Sequence, residues 1–386
     1  MSYPFDFRYY IIDPDEGGPV RGQLYDCLGK AGKLLTDSKE FFPVSFNCFF
    51  DPNEEPGCEK LVKDIECSGI TEVSVIAPTV IAQAPANGNS FQLVISGFVK
   101  TPVIKAVYPS FQGNRYAKAE SDDQKWVYIS VDGCETGYRD IGSISDKSFK
   151  QLSSILESED MGFTDIVRQW NYIPDIVSLA GQAGLVSQNY QEFNEIRAKW
   201  YTSGGLSRDF PAATGIGTRG NTIRLQAIAA RPGKGFRILS LRNPVQQNAH
   251  QYSKDKLVGT IRKSAPLFER GKVIFGAGRG YIWVSGTAAI RGEESIAAGL
   301  TGQTNITCDN IENLISLKNL KDHGLDIHDT NIDPVYIRAY VKYRADGSAV
   351  KNILDKRYPG AIIHVLEGDV CRDELLVEVE AEFSIG

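Results

Sequence analysis

The chain has 386 residues, 42% hydrophobic and 23% charged, with a net charge of −6. That balance suits a globular protein with a large core, and the length suits two units or a repeated unit with an extra segment. Acidic and basic residues are mixed with no lysine/arginine cluster, which argues against nucleic acid as a partner. No apolar run approaches the roughly 20 residues that span a bilayer.

Seven cysteines, an odd count with no CxxC spacing, argue against a disulfide framework or a zinc site. Reduced thiols in a cytoplasmic enzyme fit better. The start, "MSYPFDFRYYIIDPDEGG", has neither the basic residues nor the apolar core of a signal peptide.

Residues 1–112 read as a β-rich segment, with "EVSVIAPTVIAQA" and "SFQLVISGFVK" clustering β-branched residues between Gly, Pro and Asn punctuation. Residues 113–240 begin with the strand "KWVYISVDG". The helix "SDKSFKQLSSILESEDMG" follows, with Phe149, Leu152, Ile155 and Leu156 at helical spacing. Then come the strand "DIVRQWNYIPDI", the helix "NYQEFNEIRAKWY" and the segment "FPAATGIGTRGNTIRLQAIA". Residues 241–386 repeat the order: "YIWVSGTAAI", "TNITCDNIENLISLKNLKDHG", "PVYIRAYVKY", "SAVKNILDKRY" and the closing "HVLEGDVCRDELLVEVEAEF".

Two anchors align the copies, Val167-Arg168 with Ile337-Arg338 and Leu225-Gln226-Ala227 with Val379-Glu380-Ala381. The first copy is longer between them, which the Gly-rich insertions "AGQAGLVSQ" and "SGGLSRD" account for. The predicted class is α+β, with helices packed on one face of mixed sheets.

"VIFGAGRGYIWV" contains GxGxG, but a strand resumes at once where a phosphate loop would open a helix, so a hairpin is expected. "HGLDIH" sets His323 and His328 at a spacing that shares no helical face, and no metal site is expected there. "RQWNYIPDI" offers Trp170, Asn171 and Tyr172 as an aromatic wall, an amide and a phenol, or as core packing stopped by Pro174. Arg197 follows Phe193 by one helical turn, the spacing of an amphipathic helix with a solvated arginine. The small residues of "FPAATGIG", with Thr214 and Gly215, and of "VSGTAAIRG", with Gly286, permit close approach of a ligand or of another strand. In "DVCRDELLVEVEAEF", Glu378 and Glu380 oppose Leu375, Val377 and Val379. They are either a solvated face or, if the copies enclose a cleft, hold an acid with a raised pKa. Cys371 is by itself a small buried hydrophobe.

The ordered motifs "WNYIP", "YQEFNEIRAKWY", "PAATGIG", "NPVQQNAHQY", "PLFERG", "VSGTA", "NIENL" and "CRDELLVEVE" resemble the chorismatase family over about residues 125–386. That family is similar to fused copies of the small trimeric RidA/YjgF proteins. The resemblance implies duplicated RidA/YjgF-like units, pseudo-trimeric in one chain, acting as a monomer or homo-oligomer. It further implies cofactor-free, metal-free release of pyruvate from chorismate or a related dianion in secondary metabolism. By the same resemblance Glu378 matches the catalytic glutamate. Cys371 and Gly286 match the branch that makes 3-hydroxybenzoate, with Cys371 assisting, rather than the branch that hydrolyses to a dihydroxycyclohexadiene carboxylate. Arg197 and Arg270 are expected on the substrate carboxylates, with Asn171, Tyr172, Thr214, Gly215 and Gly286 around the substrate. "RGEESIAAGLTGQ" and Lys342 depart from the family pattern, which leaves a non-catalytic aromatic-acid-binding relative as an alternative. A RidA-like imine deaminase is disfavoured, because Ala213 stands where its arginine is needed.

Overall fold

The computed structural model describes residues 6–54, 61, 78–133, 140–182, 185–258, 260–261, 263–325, 327 and 330–386. In chain order the first elements are β1 (Phe7–Ile12), α1 (Val20–Asp37), β2 (Phe41–Phe50), β3 (Thr79–Ile81) and β4 (Phe91–Val99). Next come β5 (Lys105–Val107), β6 (Ser110–Phe111), β7 (Asn114–Arg115), β8 (Ala117–Glu120), β9 (Lys125–Asp132), α2 (Ile141–Ser158) and β10 (Ile166–Pro174). They are followed by β11 (Leu179–Gln182), β12 (Leu185–Gln188), α3 (Asn189–Ser203), β13 (Ala212–Thr218), β14 (Arg224–Arg231) and β15 (Arg237–Leu241). The last part holds β16 (Gly271–Gly276), β17 (Arg279–Ala288), β18 (Ile290–Arg291), β19 (Glu294–Ser295), α4 (Gly299–Ile315) and α5 (Leu317–Asp322). It ends with β20 (Ile332–Val341), α6 (Gly347–Arg357), β21 (Ile362–Glu367) and β22 (Val377–Ile385).

One sheet topology occurs three times. The sheets run β3-β2-β4-β1, β13-β10-β14-β9-β8-β5 and β21-β20-β22-β17-β16-β15. In each, the first two strands are parallel and the next pairings antiparallel. The N-terminal β-rich segment thus supplies a sheet of the same order as the two copies read from the sequence, with α1 against it.

Each unit places helices on one face of its sheet, as the α+β reading expected. Helical side chains Phe149, Leu152 and Phe193 pack on the second sheet, and Cys308, Ile311, Val350 and Leu354 on the third. The opposite faces of all three sheets meet in one aromatic-rich core, with Tyr9 and Phe49 from the first sheet, Trp126 and Tyr172 from the second, and Trp283 and Tyr336 from the third. A sheet covered on both faces buries every side chain of its central strands. This is why Glu378, Glu380 and Glu382 are all buried on β22, and it removes the solvated-face reading of that strand.

Register corrects the alignment of the copies. Each second strand carries a β-bulge, between Pro43 and Ser45, between Ile166 and Arg168, and between Pro334 and Tyr336. The unpaired residue is a valine every time, Val44, Val167 or Val335. Counting from it, Arg168 corresponds to Tyr336, and Trp170 to Arg338. The second anchor stands, with Gln226 opposite Trp170 and Glu380 opposite Arg338. The position of Glu378 is then Arg224 in the second unit and Gln92 in the first. Arg224 is paired with Asp132, whereas Gln92 is bonded to Asp13 and His364.

Candidate active site

The three inward glutamates of β22 differ in their partners. Glu380 accepts from Arg168 Nη2 at 2.7 Å, Trp170 Nε1 at 2.9 Å and Thr214 Oγ1 at 2.5 Å, and lies 3.2 Å from Arg338 Nη1. Glu382 accepts from the hydroxyls of Tyr9 at 2.5 Å and Tyr281 at 2.6 Å. Glu378 is 5% exposed and has no hydrogen bond among the described residues. Burial, and secondarily the negative charge of Glu380, push its pKa up to about 8. At neutral pH it is a carboxylic acid with a proton to give.

Glu378 lines a cavity between the second and third units. The seam is stitched at β13. Thr214 Oγ1 receives Gly286 N–H at 3.1 Å and Arg168 Nη2 at 2.7 Å while donating to Glu380. Ser285 Oγ receives Ala213 N–H at 2.9 Å. A Cβ at 286 would overlap Glu378 Oε1, so glycine there is what leaves the carboxyl its place. At Gly215 a Cβ would come to 3.1 Å from the ring of Tyr190.

Arg270, Lys256 and Arg372 supply the positive wall. Arg270 is buried, and its Nε and Nη2 donate to Gln247 O at 3.1 and 2.6 Å, Nη2 also to Tyr252 OH at 2.6 Å. Arg372 Nη1 donates to Glu293 O at 2.8 Å and Ser295 Oγ at 3.0 Å. Both guanidiniums lie over the Tyr252 ring, at 5.5 and 5.2 Å. Neither has a carboxylate partner within salt-bridge distance among the described residues, which leaves their charge available to an anion. Lys256 is engaged at 2.5 Å by Glu294.

The residues expected around a substrate are not all brought together. Cys371, Thr214, Gly215, Gly286 and Arg270 are at the cavity or its immediate wall. Asn171 and Tyr172 point to opposite faces of the strand, and neither is among the lining residues. Asn171 Nδ2 donates to Thr214 O at 2.9 Å, while Tyr172 OH lies 3.2 Å from Arg338 in the aromatic core. Arg197 is buried rather than solvated. Its Nη2 donates to Asn194 Oδ1 at 2.7 Å and its guanidinium lies 5.4 Å from the Phe193 ring, behind the cavity wall at Tyr190. The Cys371 thiol is pushed up to about 12 by burial and then by Glu378, so it stays protonated.

The lining also includes Arg372, Tyr252 and Gln191, which lie within "CRDELLVEVE", "NPVQQNAHQY" and "YQEFNEIRAKWY" without standing out there as site residues. Gln191 Oε1 is buried with no partner among the described residues. The unusual acidic pair is not part of the cavity lining. Glu293 accepts from Ser253 N and Oγ at 2.8 and 2.7 Å, and Glu294 from Lys256. Lys342 is bound to Asp373, away from the Glu378 cavity. His323 Nδ1 bonds Asn319 O at 2.7 Å, and His328 lies outside the described residues. No helix among the described residues is long and apolar enough to cross a membrane.

A family profile described as chorismatase FkbO/Hyg5-like, N-terminal, matches residues 105–229. Those residues are a chorismatase-family domain. The chain is 35% identical over 225 residues to a 3-hydroxybenzoate synthase of Streptomyces hygroscopicus, covering 58% of this chain and 64% of that protein. It is 30% identical over 226 residues to a chorismatase of the same organism, covering 58% and 62%. The aligned part therefore spans less than two thirds of either relative. A crystal structure of a chorismatase superposes with a TM-score of 0.68 at 20% identity, covering 99% of both chains. The whole chain, including its first sheet, has the chorismatase fold.

Proposed function

We propose that this protein acts on chorismate and releases pyruvate and 3-hydroxybenzoate, with Glu378 as the acid. The observation that carries the reading is the protonated, unpartnered carboxyl of Glu378 in a cavity walled by Arg270 and Arg372. Chorismate is a dianion, and two guanidiniums without carboxylate partners match its charge. Its enol ether leaves only when the methylene carbon is protonated, which a buried carboxylic acid with a pKa near the working pH can do.

Proton transfer from Glu378 to the methylene makes the pyruvate unit a leaving group. The 4-hydroxyl oxygen displaces it at C3, giving up its own proton to the Glu378 carboxylate, to form an arene-oxide-like intermediate. Glu378 passes that proton to the oxide oxygen as the C4–O bond opens, and the ring proton lost from C3 in restoring aromaticity returns to Glu378. The Cys371 thiol, protonated throughout, serves as a small neutral group and weak donor beside the ring rather than as a nucleophile. The resemblance at Gly286 and Cys371 favours 3-hydroxybenzoate over the hydrolytic product, which differs by retaining one water.

The test is incubation with chorismate and identification of the products by mass. Pyruvate with 3-hydroxybenzoate is expected, and Glu378→Gln should abolish both. Pyruvate with a dihydroxycyclohexadiene carboxylate would place the enzyme in the hydrolytic branch. Folded protein that binds 3-hydroxybenzoate yet releases no pyruvate would leave a binding protein.

A further inference from the structure

We propose that a second cavity, where the three sheets meet, binds a small aromatic zwitterion, an α-amino acid with an aromatic side chain. The cavity is lined from every unit: Tyr9 and Ser96 from the first, Tyr128 and Trp170 from the second, Arg338 and Glu382 from the third. It is separate from the Glu378 cavity, and its lining shares no residue with it. The inference holds whatever substrate the Glu378 site takes.

Most polar groups in its wall satisfy one another. Ser45 Oγ bonds Ser96 Oγ at 2.6 Å, Thr79 Oγ1 bonds Ser130 Oγ at 2.6 Å, and Gln226 Nε2 donates to Asn47 Oδ1 at 2.6 Å. Two charged side chains keep spare capacity. Both tyrosine hydroxyls on Glu382 reach Oε2, so Oε1 has no partner among the described residues. Arg338 spends Nε on Tyr336 OH and Nη1 on Tyr172 OH and Glu380, and Tyr340 also draws on its guanidinium, so only part of the fork is left for a ligand. The residues are only 5% and 3% exposed. A ligand that supplies a donor to Oε1 and an acceptor to the guanidinium adds a charge-assisted hydrogen bond at each.

Tyr336 faces Glu382 and Arg338 faces Glu380 across β20 and β22. Arg338 and Glu382 are therefore diagonal neighbours on one sheet face, with Cβ atoms roughly 7 Å apart. A carboxylate on Arg338 and an ammonium on Glu382 fit the two charged groups of one α-amino acid. Charge agrees. Arg168 and Arg338 share Glu380, which leaves one positive charge, and Glu382, whose carboxyl burial holds above its usual range, balances it on ionising beside an ammonium. The remaining wall is aromatic, with Tyr9 stacked on Tyr336 at 4.1 Å between ring centroids, which favours a flat apolar side chain. Arg115 is the exposed member of the lining and marks the mouth.

Calorimetric titration of the full chain with L-phenylalanine, phenylacetate and phenethylamine tests the proposal. L-phenylalanine should bind one per chain with a Kd below about 1 mM, and each truncated probe at least about ten-fold more weakly. Glu382→Gln should remove the binding, as should Ser96→Leu or Ser45→Leu, which fill the cavity. Glu378→Gln should leave it unchanged. The proposal is overturned by no heat up to about 10 mM on folded protein, by truncated probes that bind as tightly, by folded cavity-filling variants that still bind, or by loss of binding in Glu378→Gln.

Discussion

Gly286 on β17 lies directly behind the carboxyl group of Glu378 on β22, and the two residues define one another's space. A methyl group at 286 meets the far end of a side chain that faces a cavity, so the carboxyl can move aside without unfolding the sheet. Gly286→Ala is expected to melt within a few degrees of the parent. It should release pyruvate from chorismate at least about ten-fold more slowly, a cost of about 1.4 kcal/mol in the transition state. Unchanged turnover would separate Glu378 from the chemistry.

The acid must carry its proton, so activity should follow the pKa of Glu378. With that value at about 8, kcat/KM for pyruvate release is expected to be flat near neutrality and to fall about ten-fold per pH unit well above 8. A profile level from pH 7 to about 9.5, measured by pyruvate formation, would remove Glu378 as the donor.

The same titration sets a stability trend. In the unfolded chain the carboxyl releases its proton near 4.5, and in the folded chain only near 8. The folded state therefore binds the proton more tightly, and its contribution to stability is lost as pH rises between those values. The loss amounts to at most about 5 kcal/mol. Glu378→Gln should flatten this part of the pH dependence and equal or exceed the parent in denaturant midpoint above pH 8. Glu380→Gln should behave oppositely, costing about 3 kcal/mol or more, because it leaves Arg168 and Arg338 buried without their shared carboxylate.

Arg270 and Arg372 flank Tyr252 and have no carboxylate partner among the described residues. Arg372→Ala is expected to raise KM for chorismate about ten-fold or more with a smaller change in kcat, since it removes charge that ground and transition states feel alike. Arg270→Lys should act in the same direction, because a point charge replaces a planar fork. A drop confined to kcat would instead place these residues in the chemical step.

Strand β22 shows what the sequence could and could not disclose. Alternation of Val377, Val379 and Ala381 with glutamates fixed which side chains share a face, but not what covers the glutamates. That depended on two other sheets far away in the chain. Asn171 and Tyr172 looked like one constellation because they are adjacent, and strand geometry sends them to opposite faces. Arg372 and Tyr252 lie within quoted motifs, but neither belongs to a periodic element, so nothing in the sequence says that their side chains meet at the cavity. The third copy of the fold went unread because its sheet has only four strands and β3 has three residues, too short for an alternation signal.

Three β-bulges on Val44, Val167 and Val335 put Gln92, Arg224 and Glu378 at one shared position. In a trimer of identical subunits a change at such a position falls on every interface at once, so a buried acid would arrive in triplicate. Joining the units in one chain lifts that constraint. One seam can hold an unpartnered acid, a second an arginine neutralised by Asp132, and a third an amide tied to His364. The cost of a reactive group is thereby confined to a single seam, and the other two are free to hold the molecule together.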